Sequence, residues 1–116
     1  MTAHHKINYI EIPTQNITGT KAFFSQVFNW QFVDYGPEYC SFSAQGVNGG
    51  FFTSDLVVST ATGSPLIVLY SEDLQGTQDS IEQAGGKILQ GIFTFPGGRR
   101  FHFSEPNGNE FAVWSE

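Results

Sequence analysis

The sequence predicts an α+β fold of two βαβββ modules, about residues 7–55 and 65–115, within a single domain over residues 1–116. Three observations carry that expectation. The segment Asn16-Ile17-Thr18-Gly19-Thr20 returns 57 positions on as Asp73-Leu74-Gln75-Gly76-Thr77, each time after an extended apolar run and before a helical one. Helical apolar positions match across that offset: Ile17 with Leu74, Phe24 with Ile81, Val27 with Ala84. The length suits one compact core of ordinary size, with no linker of any length.

In the first module, Ile7–Ile12 alternates and is rich in β-branched residues, which predicts a strand. Asn16 is placed to cap a helix whose apolar spacing runs from Ile17 through Phe24, Val27 and Phe28, and Asn29 suits a left-handed terminator. Strands follow at Gln31–Asp34, Glu38–Ala44 and Gly49–Ser54, punctuated by Gly36-Pro37 and Gly46-Val47-Asn48. Leu56–Ser64 is an uncharged connector of small residues.

The second module repeats the order. Leu66–Tyr70 is a strand, Asp73 caps a helix, Gly85-Gly86 ends it, and strands fall at Lys87–Gln90, Arg99–Phe103 and Glu110–Ser115. Asn107-Gly108 between two alternating apolar runs predicts a hairpin, since both residues accept positive φ. Gly97-Gly98-Arg99-Arg100 has the composition of an anion-binding turn, but no helix follows it, so a flexible hairpin loop is the expectation.

Composition excludes several function classes. Eleven Asp and Glu against five Lys and Arg give a net charge of −6, which repels nucleic-acid phosphates and anionic lipid and favours a cationic small ligand. No apolar run approaches the ~18 residues of a membrane span, and no signal core opens the chain, so a cytoplasmic location is expected. Cys40 is the single cysteine, within Tyr39-Cys40-Ser41-Phe42, and with no base nearby it is expected to be a buried inert thiol.

The doubled module, the Asn and Asp helix caps and the Pro-Asn-Gly-Asn turn before the last strand resemble the vicinal oxygen chelate superfamily of glyoxalase I, bleomycin-resistance proteins and extradiol dioxygenases. The resemblance runs from Ile7 to Trp114. It is densest in Ile10-Glu11-Ile12-Pro13 leading to Phe23-Phe24 and Phe28-Asn29-Trp30, and in the closing stretch from Phe103 to Phe111. It implies a half-open cup of mixed sheets with helices on the outer faces and a ligand or metal inside. Metal-using members draw ligands from the first strand of each module, seven residues before the cap, and from the last, four residues after the turn glycine. Those positions here are Tyr9, Leu66, Gly50 and Ala112, and none carries a His or carboxylate. A divalent site needs three or more converging donors. Only His4, His5 and His102 are available as imidazoles, the first two in a terminal segment. The expectation is therefore no metal and no other cofactor.

Strand alternation supplies what lines the implied cup. With Tyr9 and Ala112 inward, Glu11, Glu110 and Trp114 share their face, joined by Leu66, Val68 and Tyr70 and, by the Phe101/Phe103 row on the other side, His102. Glu11 or Glu110 is placed to pair with His102. Glu11 is equally a ligand contact or a solvated rim charge, and Tyr9 and Trp114 serve either packing or stacking. The resulting expectation is a small-molecule-binding protein with a cationic or aromatic ligand held by Tyr9, Glu11, Leu66, Tyr70, His102, Glu110, Ala112 and Trp114. The alternatives are a lyase or isomerase with Glu11 and His102 as catalytic groups, and a dimeric scaffold with a vestigial site. The resemblance implies a homodimer whose clefts lie between modules of both subunits, drawing Tyr9 and Glu11 from one chain and Leu66 and Tyr70 from the other, and eighteen large aromatic rings fit it.

Overall fold

The structure, a computed structural model, describes residues 4–43 and 45–116. Ala44, the expected end of one strand, lies outside the described residues. The chain forms two compact units, Met1–Leu56 and Val57–Glu116.

In the first unit, β1 (Tyr9–Thr14) leads to α1 (Ile17–Phe28), then β2 (Phe32–Asp34), β3 (Tyr39–Phe42) and β4 (Asn48–Thr53). The sheet order is β1-β4-β3-β2, with β1 parallel to β4 and the other pairs antiparallel. β1 lies two residues beyond the expected strand because the ladder runs on through Thr14, whose carbonyl accepts Ser54 N–H at 2.9 Å. Pro13 is tolerated because β1 is an edge strand. Asn16 Oδ1 accepts Gly19 N–H at 3.0 Å, and Asn29 closes the helix at φ 59°. Phe24, on the buried face of α1, packs on Trp30 (centroids 4.7 Å apart) and on Phe51 of β4 (5.5 Å), and Trp30 packs on Phe42 (4.6 Å). Each such ring pair adds about 0.5–1.5 kcal/mol beyond the area it buries. Cys40 is fully buried on this helix-facing side, and burial pushes its thiol up, which leaves it protonated and inert.

The second unit repeats the plan with β5 (Ile67–Tyr70), α2 (Leu74–Gln83), β6 (Lys87–Phe95), β7 (Gly98–Ser104) and β8 (Glu110–Ser115), in the order β5-β8-β7-β6 with β5 parallel to β8. Phe101, Phe103, Phe111 and Val113 of the sheet and Leu74 and Ile81 of α2 are buried as its core. The expected α+β class, with two βαβββ modules each carrying one helix on a mixed four-stranded sheet, is what the structure contains.

Three local expectations are corrected. β6 runs to Phe95, not Gln90, because register shifts after Ile88 and Gln90 interrupt its alternation without ending it. Consequently Pro96-Gly97 is a tight two-residue turn between paired Phe95 and Gly98, with Gly97 at φ 111°, and Gly98–Arg100 lie in β7 instead of a flexible loop. Between β7 and β8 only Gly108 takes positive φ. Gly108 N–H reaches Glu105 O at 2.8 Å and Glu105 N–H reaches Asn109 O at 2.9 Å, which makes a three-residue loop closed by an αL glycine. The connector from Val57 onward, finally, belongs to the second unit: Glu110 N–H donates to Val58 O (2.9 Å) and Val58 N–H to Asn109 Oδ1 (2.8 Å). No helix among the described residues is long and apolar enough to cross a membrane.

Candidate functional site

In the first unit the face of the sheet away from α1 is set by register. Ile12, Cys40 and Phe51 align on the helix side, so Tyr9, Glu11, Ser41 and Gly50 share the other. Sequence reasoning placed Tyr9 and Glu11 there but missed Tyr39, which organises them. Its hydroxyl donates to Glu11 Oε2 at 3.0 Å and meets the Tyr9 hydroxyl at 2.5 Å. A phenol has one proton to give. With Tyr39's committed to Glu11, Tyr9 is the donor to Tyr39, and the three form a directed chain Tyr9→Tyr39→Glu11. Burial first, then the hydrogen bonds to Tyr9 and Glu11, raise the Tyr39 phenol well above its ordinary range, so it remains a neutral donor.

Gly50 makes this possible. A Cβ there would overlap the Tyr39 hydroxyl and ring and stand 2.8 Å from Cys40 O. The signal was present in the sequence as Gly49-Gly50 inside a strand, since glycine in a strand marks a close approach.

In the second unit, β7 and β8 pair Arg100 with Trp114, His102 with Ala112 and Ser104 with Glu110, while β5 pairs Val68 with Ala112 and Tyr70 with Trp114. Five of the expected residues, Tyr70, His102, Glu110, Ala112 and Trp114, thus share one sheet face, and Leu66 lies one residue before β5. Ala112 is fully buried. Glu110 stands 3.5 Å from His102 Nδ1, the outer limit of a hydrogen bond. Its principal partner is Thr60, missed in the sequence: the Thr60 amide donates to Oε1 at 2.7 Å and the hydroxyl at 3.0 Å. The amide bond is the main cause that holds the Glu110 carboxyl below its ordinary range; burial opposes it, and the Thr60 hydroxyl and His102 reinforce it.

Three further residues on this sheet were missed. The Arg100 guanidinium lies over Phe93 (5.4 Å) and Phe95 (5.5 Å), and Phe93 also faces the His102 ring at 5.8 Å. Arg100 shares strand parity with His102 and was readable from it. Phe93 and Phe95 were not, because they lie past the expected end of β6.

Glu11 and His102 lie in different units, and each has its own partner within its unit, Tyr39 and Glu110 respectively. His4 and His5 are exposed with rings stacked at 3.7 Å. Among the described residues no three His, Cys, Asp or Glu converge. Of the positions at which the family's metal users carry ligands, Leu66 and Ala112 have no donor atom, Gly50 has its space filled by Tyr39, and Tyr9 is engaged by a second phenol. The residues present do not fit a divalent metal at those positions.

The fold and the two faces define a glyoxalase-like protein, and comparison with known proteins agrees. The family model of the glyoxalase/bleomycin resistance protein/dioxygenase superfamily matches residues 6–113, and the chain belongs to that superfamily. Similar solved structures include a glyoxalase-related enzyme from Fulvimarina pelagi (TM-score 0.80, 16% identity, 97% of this chain and 88% of that one). A glyoxalase/bleomycin resistance protein/dioxygenase family enzyme from Burkholderia phytofirmans PsJN is comparably close (0.79, 16%, 95% and 98%). A lactoylglutathione lyase from Agrobacterium tumefaciens follows (0.72, 15%, 98% and 96%). At these identities the likeness is one of fold. No curated protein matches the chain in sequence.

Proposed function

We propose that this protein is a single-domain member of its superfamily that binds a small organic molecule on the sheet faces opposite its helices, without a divalent metal. The observation that carries the reading is the exchange at Gly50. Where the family's metal users present a ligand, this chain has no side chain, and the Tyr39 phenol stands in that space and ties Tyr9 to Glu11. Tyr9, Glu11, Leu66, Tyr70, His102, Glu110, Ala112 and Trp114 are the proposed contacts, to which Tyr39 and Arg100 are added.

The test is a thermal-shift and calorimetric screen of aromatic acids, amines, antibiotics and thiol conjugates on protein stripped with chelator, with elemental analysis of the untreated protein. Binding that survives chelation supports the reading. Binding that returns only with added Zn, Ni, Mn or Fe, or close to one such ion held per chain, overturns it. Turnover of a bound compound selects the lyase or isomerase reading, and a flat screen selects the scaffold. A homodimer is part of the proposal, supported by large apolar side chains left exposed at Ile7, Val33, Tyr35 and Leu56. Sedimentation velocity at micromolar concentration checks it, and a monomer refutes it.

A further inference from the structure

We infer that the β5-β8-β7-β6 sheet carries a subsite for an aromatic carboxylate, in which Arg100 and His102 hold the anion and Phe93, Phe95 and Trp114 flank the ring. This rests on the small-molecule-binding reading above and names the chemical class the site takes.

The argument starts from two atoms. Arg100 Nε and His102 Nε2 are both buried and neither has a hydrogen-bond partner. A buried donor left unpaired costs about 1–3 kcal/mol, and more when it is charged, so such atoms mark a place where a partner is expected. Here there are two, on residues i and i+2 of one strand and hence on one face, with Cα atoms about 7 Å apart. The guanidinium is always charged, and no carboxylate forms an ion pair with it among the described residues. Among the described residues, the faces of Phe93 and Phe95 offset its charge.

His102 is oriented for the same task. With Nδ1 toward Glu110, its Nε2 is the free end, the atom that a ligand on this face meets. Two unpartnered nitrogens on one face, one belonging to a guanidinium, suit a carboxylate. The flat part of the ligand follows from the walls: Phe95 lies 6.3 Å from Trp114, and Trp114 meets Tyr70 edge to face at 5.0 Å.

The net charge of −6 favoured a cation, but the two carboxylates expected among the contacts are hydrogen-bonded within the protein, Glu11 by Tyr39 and Glu110 by Thr60. The unengaged charge on this face is positive. A global excess of acid acts over long range and is screened within about 10 Å at ordinary salt, whereas contact donors decide the ligand.

Calorimetry with benzoate, benzamide and benzamidinium, three near-isosteres differing in charge, tests this on the whole protein. Benzoate is expected to bind at least about tenfold more tightly than benzamidinium, and added NaCl to weaken it. Arg100→Gln should remove that preference by weakening benzoate more than benzamide or benzamidinium, and Arg100→Lys should restore part of it. If Arg100→Gln fails to fold by circular dichroism, His102→Gln replaces it, with the same loss of preference expected. Benzamidinium binding as well as or better than benzoate overturns the anionic subsite and leaves ligand binding standing. So does an undiminished benzoate preference in Arg100→Gln. If none of the three binds at millimolar concentration, the inference fails, and the broader reading fails with it only when the wider screen is flat as well.

Discussion

The phenol of Tyr39 occupies the space in which a side chain on Gly50 would stand, and its hydroxyl reaches across to Glu11 at 3.0 Å. The two positions are adjacent rows of one ladder, since Gly50 pairs with both Ser41 and Glu11 while Tyr39 pairs with Phe52. The absent side chain and the ring are therefore one feature. It converts a strand position that presents a metal ligand in some relatives into the floor of a hydrogen-bonded chain.

Gly50→Ala should destabilise the protein by about 1–3 kcal/mol, the usual cost of forcing extra volume into a packed position. Because the overlap is with the Tyr39 ring as well as with the Cys40 carbonyl, Tyr39→Ala should relieve part of the loss in a double-mutant cycle. Chemical denaturation of the four proteins measures this. Strict additivity would show that Tyr39 and Gly50 are independent.

Tyr39 should ionise well above the ordinary range of a tyrosine. Its raised phenol means that the folded state binds its proton more tightly than the unfolded chain does. The stability this contributes is complete below about pH 10, the unfolded value, and is lost as pH rises toward the folded value. Absorbance titration of tyrosinate should show a raised phase that Tyr39→Phe removes. Tyr70 is also raised, through its hydrogen bond to Glu116, and its phase should remain in the variant.

Much of the fold was legible because the repeat is one of hydrogen bonds as well as letters. Thr14 Oγ1 meets Thr20 Oγ1 at 2.7 Å, and Ser71 Oγ meets Thr77 Oγ1 at 2.7 Å. Asn16 and Asp73 each accept from the glycine three residues on, at 3.0 Å. Local chemistry of this kind writes itself into short motifs. What stayed hidden is set by register between distant strands. The reach of β6 to Phe93 and Phe95 depends on bulges that break its alternation, and the meeting of Tyr39 with Glu11 depends on β3 and β1 flanking β4. The Thr60 contact to Glu110 comes from a connector with no pattern to read. The candidate site was thus half visible, in strand parity, and half tertiary.

Gly76→Ala should fail to give the gain of about 1 kcal/mol that alanine normally brings to a helix interior. A Cβ at Gly76 would overlap the Asp73 carboxylate that caps its amide, and displacing a cap costs about 0.5–2 kcal/mol. The effects nearly cancel or leave a net loss. At Gly19 the nearest atom to a new Cβ is Asn16 Nδ2 at 3.0 Å, a milder crowding, so Gly19→Ala should be better tolerated. In an Asp73→Ala background, where the cap is already gone, Gly76→Ala should stabilise. Thermal melts of the set check the order, and a clear gain from Gly76→Ala in the wild-type background would contradict it.

Glu110→Gln should remove part of the protein's sensitivity to acid. The Glu110 carboxyl is depressed, first by the Thr60 amide, with burial working against it and the Thr60 hydroxyl and His102 in support, so the folded state binds its proton less readily than the unfolded chain. For a depressed group the contribution to stability is fully present above the unfolded value, about 4.3 for glutamate, and is lost as pH falls through the folded value. Wild-type stability should therefore decline below about pH 4.3 with a slope to which Glu110 contributes. The amide variant keeps the shape and one acceptor but no charge, so it should be less stable at neutral pH and flatter in acid. Urea denaturation between pH 3 and pH 7 separates the two curves. They should converge at the acidic end, where both side chains are neutral, and parallel curves across the range would show that Glu110 does not titrate with folding.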